Sequence, residues 1–152
     1  MNTQPAMLPN AVAVKTTIRF AETDLMGVVH HSAYIVWFEM GRVAWMDAVG
    51  MPYSEVAGSG HHFAVTGVQA TYRASCTFGD TVEIITSVAK LRNRQVEFRY
   101  EVRNAENGVL LATGSSEHIC VDATGKMTKI PVDIALRLQR GLAQLGERHS
   151  VD

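Results

Sequence analysis

The first regular pattern in the chain is an alternation of apolar and polar positions in "AVKTTIRF", residues 13–20. The apolar side of this segment carries Val14, Thr16, Ile18 and Phe20. Such alternation is typical of a strand with one buried face. We therefore predict a half-buried strand over 13–20.

The pattern changes to helical spacing from Ser32 to Val49, in "SAYIVWFEMGRVAWMDAV". The residues that recur at this spacing are Tyr34, Trp37, Phe38, Gly41 and Trp45. Most remaining positions are apolar as well, and a helix that is apolar nearly all round is a buried one. Gly50 and Pro52 provide its C-terminal stop, so we predict a long buried helix over 32–49.

The rest of the chain predicts mostly strands. After a turn-rich connector, "MPYSEVAGSG", strands are predicted over 62–73, 81–91, 95–104 and 109–121. The first of them shifts its alternation after Gly67, as a β-bulge would, and Asn107-Gly108 marks a hairpin between the last two. Pro131 opens an amphipathic helix through Leu145.

This order of elements indicates an α+β fold. A helix that is apolar on nearly every side must be covered by a sheet that curls around it or by a partner. The chain of 152 residues, 47% of them hydrophobic, suits one domain with its own core. We expect that domain over 13–146, with a flexible lead over 1–12 and a flexible tail over 147–152.

Composition argues against several classes of function. The formal net charge is -1 without blocks of like charge, so neither nucleic acid nor an anionic membrane is an expected partner. We find no signal-peptide pattern and no apolar run of roughly 18 residues, the length that spans a bilayer. Cys76 and Cys120 lack metal-binding spacing and are expected as buried free thiols of a cytoplasmic protein.

The segment "ETDLMGVVHHSAYIVWFEMGRVAW" resembles the signature of the hotdog-fold acyl-CoA thioesterases, the 4-hydroxybenzoyl-CoA thioesterase and YbgC-like group. In that signature an aspartate, a glycine and a Val-(Tyr/His)-His-x-x-Tyr run lead into the central helix. The matching positions are Asp24, Gly27, Val29, His30, His31, Tyr34, Phe38, Glu39, Arg42 and Trp45. The likeness continues through "YRASCTFGDTVEI" and "ATGSSEHICVDATGK", and so covers nearly the whole chain.

The resemblance implies a fold, an activity and an assembly. The fold would be a curved antiparallel five-stranded sheet wrapped around a long central helix, with a C-terminal helix. The activity would be hydrolysis of an acyl-CoA thioester to free acid and CoA, and we expect no cofactor. Hotdog relatives dimerise edge to edge with the active site at the interface, so we expect a homodimer, associating further into a homotetramer.

The same resemblance implies catalytic roles for Asp24, Gly27 and His31. Asp24 would be the nucleophile or the general base, and the backbone N–H of His31 would be an oxyanion donor. On the substrate side we expect His30, Tyr34, Val65, Thr66, Gly67 and Val68. The basic turns carry candidates for the CoA phosphates, namely Arg92, Arg94 and Lys126.

Elementary chemistry supports this site independently. Thioester hydrolysis needs a group that attacks or deprotonates water, and donors for the charge that grows on the carbonyl oxygen. The first two exposed amides of a buried helix meet the second need, and Gly27 permits close approach of the backbone to the substrate. For Asp24 a second interpretation stays open, because an Asp near a Gly commonly caps a turn.

Other polar residues of this region have simpler interpretations. His30, His31, His61 and His62 lack the spacing of metal ligands, and no metal is expected. Glu39 and Arg42 are expected to pair with each other or with a polar group across an interface. Trp37 and Trp45 are expected in the core.

Two rival functions share this fold. An acyl-binding or dehydratase-type hotdog protein would hold an acyl chain without attack by water. A dehydratase of this fold uses a His with an acid placed across the dimer, whereas here the acid precedes the helix. The third class, a non-catalytic assembly partner, is opposed by the intact set of Asp24, Gly27 and His31.

Overall fold

The structure, a computed structural model, describes residues 8–150, with side chains described through Glu147. The strands are β1 Val12–Thr17, β2 His62–Tyr72, β3 Thr81–Leu91, β4 Gln95–Asn104 and β5 Leu110–Val121. They form one antiparallel sheet with the strand order β1-β3-β4-β5-β2. The helices are α1 His31–Ala48, α2 Tyr53–Gly58 and α3 Val132–Ser150. The α+β prediction and the five-stranded hotdog arrangement are confirmed.

Helix α1 is the centre of the core. Its buried face consists of Ala33, Tyr34, Trp37, Phe38, Gly41, Trp45 and Met46. The ring of Phe38 stacks on Tyr100 of β4 at 4.3 Å, and Trp45 meets Phe98 edge-on at 5.9 Å. The expectation that Trp37 and Trp45 belong to the core is confirmed, since they are 0% and 1% exposed.

Position 41 sets how closely α1 approaches the sheet. A Cβ atom at Gly41 would collide with Oγ1 of Thr86 and press against Ile84, both on β3. Only a hydrogen atom fits at that point, so the helix backbone lies directly on the strand. Contact at this distance forms the tight helix–sheet packing that buries Val82 and Ile84 completely.

Strand β2 is one of the two edges of the sheet. It pairs with β5 on one side, and its register shifts between Val65 and Gly67. The predicted irregularity in this strand is therefore confirmed, one residue earlier than expected. Val65 and Val68 remain 50% and 43% exposed in the single chain.

The first strand is shorter than predicted, and Phe20 is not on a buried face. Regular strand structure ends at Thr17, Ile18 is still buried, and Phe20 is 77% exposed. The chain turns there into a 3-10 turn, Phe20–Glu22, because the Glu22 carboxylate accepts the Arg19 N–H at 2.8 Å. This local capping interaction breaks the alternation.

Two helices differ from expectation. The connector after Gly50 contains helix α2, which begins after Pro52 and buries Val56. Helix α3 begins at Val132 as expected, but it continues to Ser150 rather than ending near Leu145. Its buried residues are Ile134, Leu138 and Leu145, and Leu138 lies beside Trp45 of α1 and Phe98 of the sheet. Within residues 8–150, none of the helices is both long and apolar enough to cross a membrane.

The predicted lead over 1–12 lies largely outside the described residues, and the strand begins at its last position, Val12. Of the predicted tail over 147–152, the positions through Ser150 belong to α3. The assignment of a single domain over 13–146 stays a prediction.

Candidate active site

A tight turn carries Asp24. In the Asp24 loop, residues 23–29, Thr23 bridges Val29, and the Asp24 N–H donates to the carbonyl of Val28 at 2.9 Å. Oδ1 of Asp24 accepts the N–H of Met26 at 2.8 Å and that of Val28 at 3.3 Å. The carboxylate of Asp24 therefore fits both the turn-capping and the catalytic interpretation. Oδ1 caps the turn, while Oδ2 bonds to no described residue.

Gly27 gives this loop its shape. Its φ of 78° lies in the left-handed region, which a side chain disfavours, and its N–H donates to the carbonyl of Asp24 at 3.0 Å. No atom lies within 4 Å of where a Cβ of Gly27 would be. Gly27 is needed for the backbone conformation, while the space beside it is open to solvent.

Helix α1 begins at His31, and its first amides are not equivalent. The ring Nδ1 of His30 accepts the N–H of Ser32 at 3.2 Å, and the carbonyl of His30 accepts the N–H of Ala33 at 3.0 Å. Within the described chain the N–H of His31 has no acceptor. We expected two exposed amides, and the structure leaves one, because the imidazole of His30 caps the other.

The end of β2 holds the start of the helix in place. The hydroxyl of Tyr72 donates to the carbonyl of His31 at 3.1 Å, and the two rings meet edge-on with centroids 6.5 Å apart. Tyr34 packs against Tyr72 at 5.1 Å. These contacts form an open groove of about 300 Å³ lined by Val29, His31, Tyr34, Tyr72, Arg73, Ala74 and Ser75.

Tyr34 belongs to the wall of this groove rather than to its polar surface. It is 3% exposed, and its hydroxyl points to Sγ of Cys76 at 3.5 Å. Burial raises the pKa of Tyr34 and also that of Cys76, so both groups stay protonated. Cys76 and Cys120 are buried free thiols, as expected.

The other predicted substrate residues lie elsewhere in the single chain. Val65, Thr66, Gly67 and Val68 are on β2, and at about 3.3 Å per residue the nearest of them is roughly 13 Å from Tyr72. Thr66 and Arg92 line a separate hollow of about 160 Å³ with Glu97, Glu117 and His118. Arg94 lies in the turn between β3 and β4, and Lys126 lies in the turn after β5.

Sequence reasoning missed Arg73. Its side chain is exposed, lines the same groove as His31 and forms no ion pair with any described residue. It follows directly after the last residue of β2, and its backbone N–H donates to the carbonyl of Leu111 at 2.8 Å. The pairing of β2 with β5 brings it to the groove, and no local pattern in the sequence indicates this.

A second polar group lies inside the fold. The interior polar cluster consists of Arg42, Tyr100, Ser116 and His118. Arg42 Nη1 donates to Tyr100 Oη at 3.3 Å, Tyr100 Oη bonds Ser116 Oγ, and Ser116 Oγ lies 2.8 Å from His118 Nε2. Burial, with the charge of Arg42 nearby, lowers the pKa of His118 to about 4. Arg42 thus pairs with the sheet and forms no ion pair with Glu39.

Comparisons with known proteins agree with this fold. The family model of the thioesterase-like superfamily matches residues 18–138. YneP of Bacillus subtilis (strain 168), which is named as a candidate acyl-CoA thioesterase, is 33% identical over 105 residues, covering 69% of this chain and 75% of YneP.

Two crystal structures are similar over most of the chain. The hypothetical protein TT1821 from Thermus thermophilus has a TM-score of 0.80 and 40% identity, covering 86% of this chain and 96% of TT1821. The DHNA-CoA thioesterase from Staphylococcus aureus has a TM-score of 0.82 and 28% identity, covering 91% of this chain and 94% of that enzyme. The chain belongs to the thioesterase-like superfamily.

Proposed function

We propose that this protein is an acyl-CoA thioesterase that hydrolyses the thioester to a free acid and CoA. One observation carries the proposal: a carboxylate oriented through Oδ1 lies in the loop that leads to the single unpaired N–H at the start of α1. The two groups, Asp24 and the amide of His31, are what thioester hydrolysis requires. The names of YneP and of the S. aureus enzyme support an acyl-CoA as the substrate.

Oδ2 of Asp24 can act in two ways that give the same products. As nucleophile it attacks the carbonyl carbon, the C–S bond breaks, CoA leaves as the thiolate, and water hydrolyses the resulting anhydride. As general base it takes a proton from a water molecule that attacks the same carbon. In both cases the N–H of His31, at the positive end of the α1 dipole, stabilises the negative carbonyl oxygen.

We place the complete site in a homodimer formed through β2. An unpaired edge strand with exposed Val65 and Val68 is a liability for a monomer, and pairing two such edges removes it. An antiparallel pair would bring β2 of the partner subunit alongside this edge, next to the groove that Tyr72 lines. The exposed apolar residues Val36 and Val43 on α1 support further association into a homotetramer.

Cations at the site would bind the phosphates of CoA. Arg73 lines the groove of its own chain, whereas Arg92, Arg94 and Lys126 would contribute from the partner subunit.

The free buried thiols Cys76 and Cys120 support a reducing compartment such as the cytoplasm.

The experiment that tests the activity is a panel of acyl-CoA substrates with detection of the free thiol. We expect thiol release by the wild-type protein on at least one of the aromatic, short branched and medium-chain acyl-CoAs. The alternative, an acyl-binding or dehydratase-type protein, predicts saturable binding of acyl-CoA without thiol release. That second result would overturn the proposal.

Mixed dimers test whether the site is shared. A subunit with Asp24→Asn is combined with a subunit with Val68→Trp, which fills the pocket from the other side. A shared site predicts one intact site in each heterodimer, and therefore restored activity. The control places both substitutions in one subunit and pairs it with wild type: a shared site then predicts no intact site, whereas a site within one chain predicts half the wild-type activity.

A further inference from the structure

The carboxylate of Glu22 accepts two hydrogen bonds from different parts of the fold. Oε2 accepts the indole N–H of Trp37 at 2.9 Å, and Oε1 accepts the backbone N–H of Arg19 at 2.8 Å. The side chain of Glu22 is only 10% exposed. Trp37 is fully buried in the middle of α1, so this carboxylate joins the 3-10 turn to the rigid core.

The backbone of Glu22 joins the same turn to the site. Its carbonyl accepts the N–H of His30 at 2.8 Å, directly before the oxyanion donor His31. Two residues after Glu22 the chain reaches Asp24, and the bridge between Thr23 and Val29 closes the loop between these points. Glu22 therefore holds both ends of the Asp24 loop against α1.

We infer that Glu22 is a positioning residue, which fixes the carboxylate of Asp24 relative to the N–H of His31 through its bond to Trp37. This inference rests on the proposed function. Both carboxylate oxygens of Glu22 are engaged by Trp37 and Arg19 in a side chain that is only 10% exposed, so we assign it no contact with the substrate. Misplacing reacting groups by about 1 Å can lower the rate roughly 100-fold.

The first test replaces Glu22 with Gln. The amide keeps the size of the side chain but has one acceptor oxygen for two donors, so one N–H loses its partner. We expect kcat to fall about 10-fold or more with KM within twofold, because the substrate contacts remain. Glu55→Gln is the matched control, since Glu55 loses an ion pair with Arg137 but touches no residue of the loop.

The second test breaks the same link, from Arg19 through Glu22 to Trp37, at its other end. Trp37→Phe deletes the indole N–H and should lower kcat as Glu22→Gln does. The double variant should lose little more than either single variant, because each change alone already interrupts that link. Trp45→Phe controls for the change in volume, because its indole donates to the carbonyl of Asn10, away from the site. A kcat for Glu22→Gln within twofold of wild type, or a loss in Trp37→Phe equal to that in Trp45→Phe, overturns the inference.

Amide hydrogen exchange separates this inference from the proposed function. We expect faster exchange at the amides of Asp24, Gly27 and His30 in Glu22→Gln, with unchanged exchange in β3 and β4. If the wild-type protein releases no thiol from any acyl-CoA, the proposed function fails, while exchange still reports whether Glu22 fixes the loop. Unchanged exchange at these three amides overturns the role of Glu22 whatever the activity.

Discussion

The Asp24 loop and the interior polar cluster are two polar regions of this fold that differ in burial and in hydrogen bonding. The loop is exposed, and its carboxylate is only half used by the turn. In the cluster, Tyr100, Ser116 and His118 are each 1% exposed and joined by hydrogen bonds, and the pKa of His118 is strongly lowered.

A strongly shifted pKa therefore does not by itself identify a reactive group in this fold. Strong desolvation raises or lowers a pKa wherever a polar group is buried, and structural networks do this as well as active sites do. In the proposed homodimer, the partner subunit would cover the Asp24 loop that is exposed in the single chain. We therefore expect substitutions in the loop to act on rate and substitutions in the cluster to act on stability.

Asp24→Asn should have the largest effect. The amide can still accept the N–H groups that cap the turn, but it neither attacks a thioester nor accepts a proton from water. We expect turnover to fall about 10²-fold to 10⁴-fold, with an unchanged unfolding temperature. Near-normal thiol release by the folded variant would contradict the proposed role of Asp24 and remove the contrast between the two regions.

The cluster should give the protein a stability that depends on pH. Because the pKa of His118 is about 4 in the fold and about 6.5 when unfolded, the unfolded chain binds more protons between these values. We therefore expect His118 to leave the free energy of unfolding unchanged above pH 6.5 and to lower it by roughly 3 kcal/mol as the pH drops to 4.

Denaturant unfolding at several pH values measures this loss. His118→Gln should flatten the profile, since an amide can still bond Ser116 but does not titrate, whereas the exposed His62→Gln should leave it unchanged. Equal slopes in both variants would show that His118 is not the source.

Tyr100→Phe should lower stability without lowering the rate. It removes a hydroxyl that bonds both Arg42 and Ser116, so two hydrogen bonds are lost inside the fold, at a cost of about 1–3 kcal/mol. The matched change Tyr72→Phe removes an exposed hydroxyl at the site, and we expect a smaller loss of stability but slower turnover. Thermal unfolding and kcat are measured on both variants. A slower turnover in Tyr100→Phe, or a larger loss of stability in Tyr72→Phe, would contradict the contrast between the two regions.

The smallest effects are expected at the cations. Arg73→Ala should raise KM for acyl-CoA about threefold to tenfold with little change in kcat, because a phosphate contact binds ground state and transition state alike. An acyl-pantetheine substrate, which lacks the nucleotide, should show no such change. Arg92→Ala, Arg94→Ala and Lys126→Ala test the turns in the same way, with the exposed Arg140→Ala as control. A fall in kcat at constant KM would show that the residue acts on the chemical step and not on the binding of the CoA phosphates.

The regular strands could be predicted from the sequence because their alternation is strict and local. The predicted bounds of β3 and β4 agree with the structure at both ends. The prediction was wrong at Phe20, because the carboxylate of Glu22 accepts the backbone N–H of Arg19 and the chain turns there. Helix α2 was missed because one turn and a half of helix has too few residues to show a period.

The candidate site also has a part that local sequence predicts and a part that it does not. Asp24, Gly27 and His31 are close in sequence, so one motif could indicate them together. Arg73 and Tyr72 reach the groove only through the pairing of β2 with β5, which no local pattern contains. The capping of Ser32 by His30 also depends on the final rotamer of a side chain, and so the number of open amides could not be predicted.

The contact between Gly41 and Thr86 has a consequence for how this family can vary. With a Cβ at position 41 excluded by the threonine side chain, position 41 is not free to change alone. Alanine at 41 becomes tolerable when position 86 carries a smaller residue, such as glycine or serine with its hydroxyl turned away. Among natural variants, a residue larger than glycine at position 41 should therefore occur together with a residue smaller than threonine at position 86, so that the sequences of the family record the distance between helix and sheet.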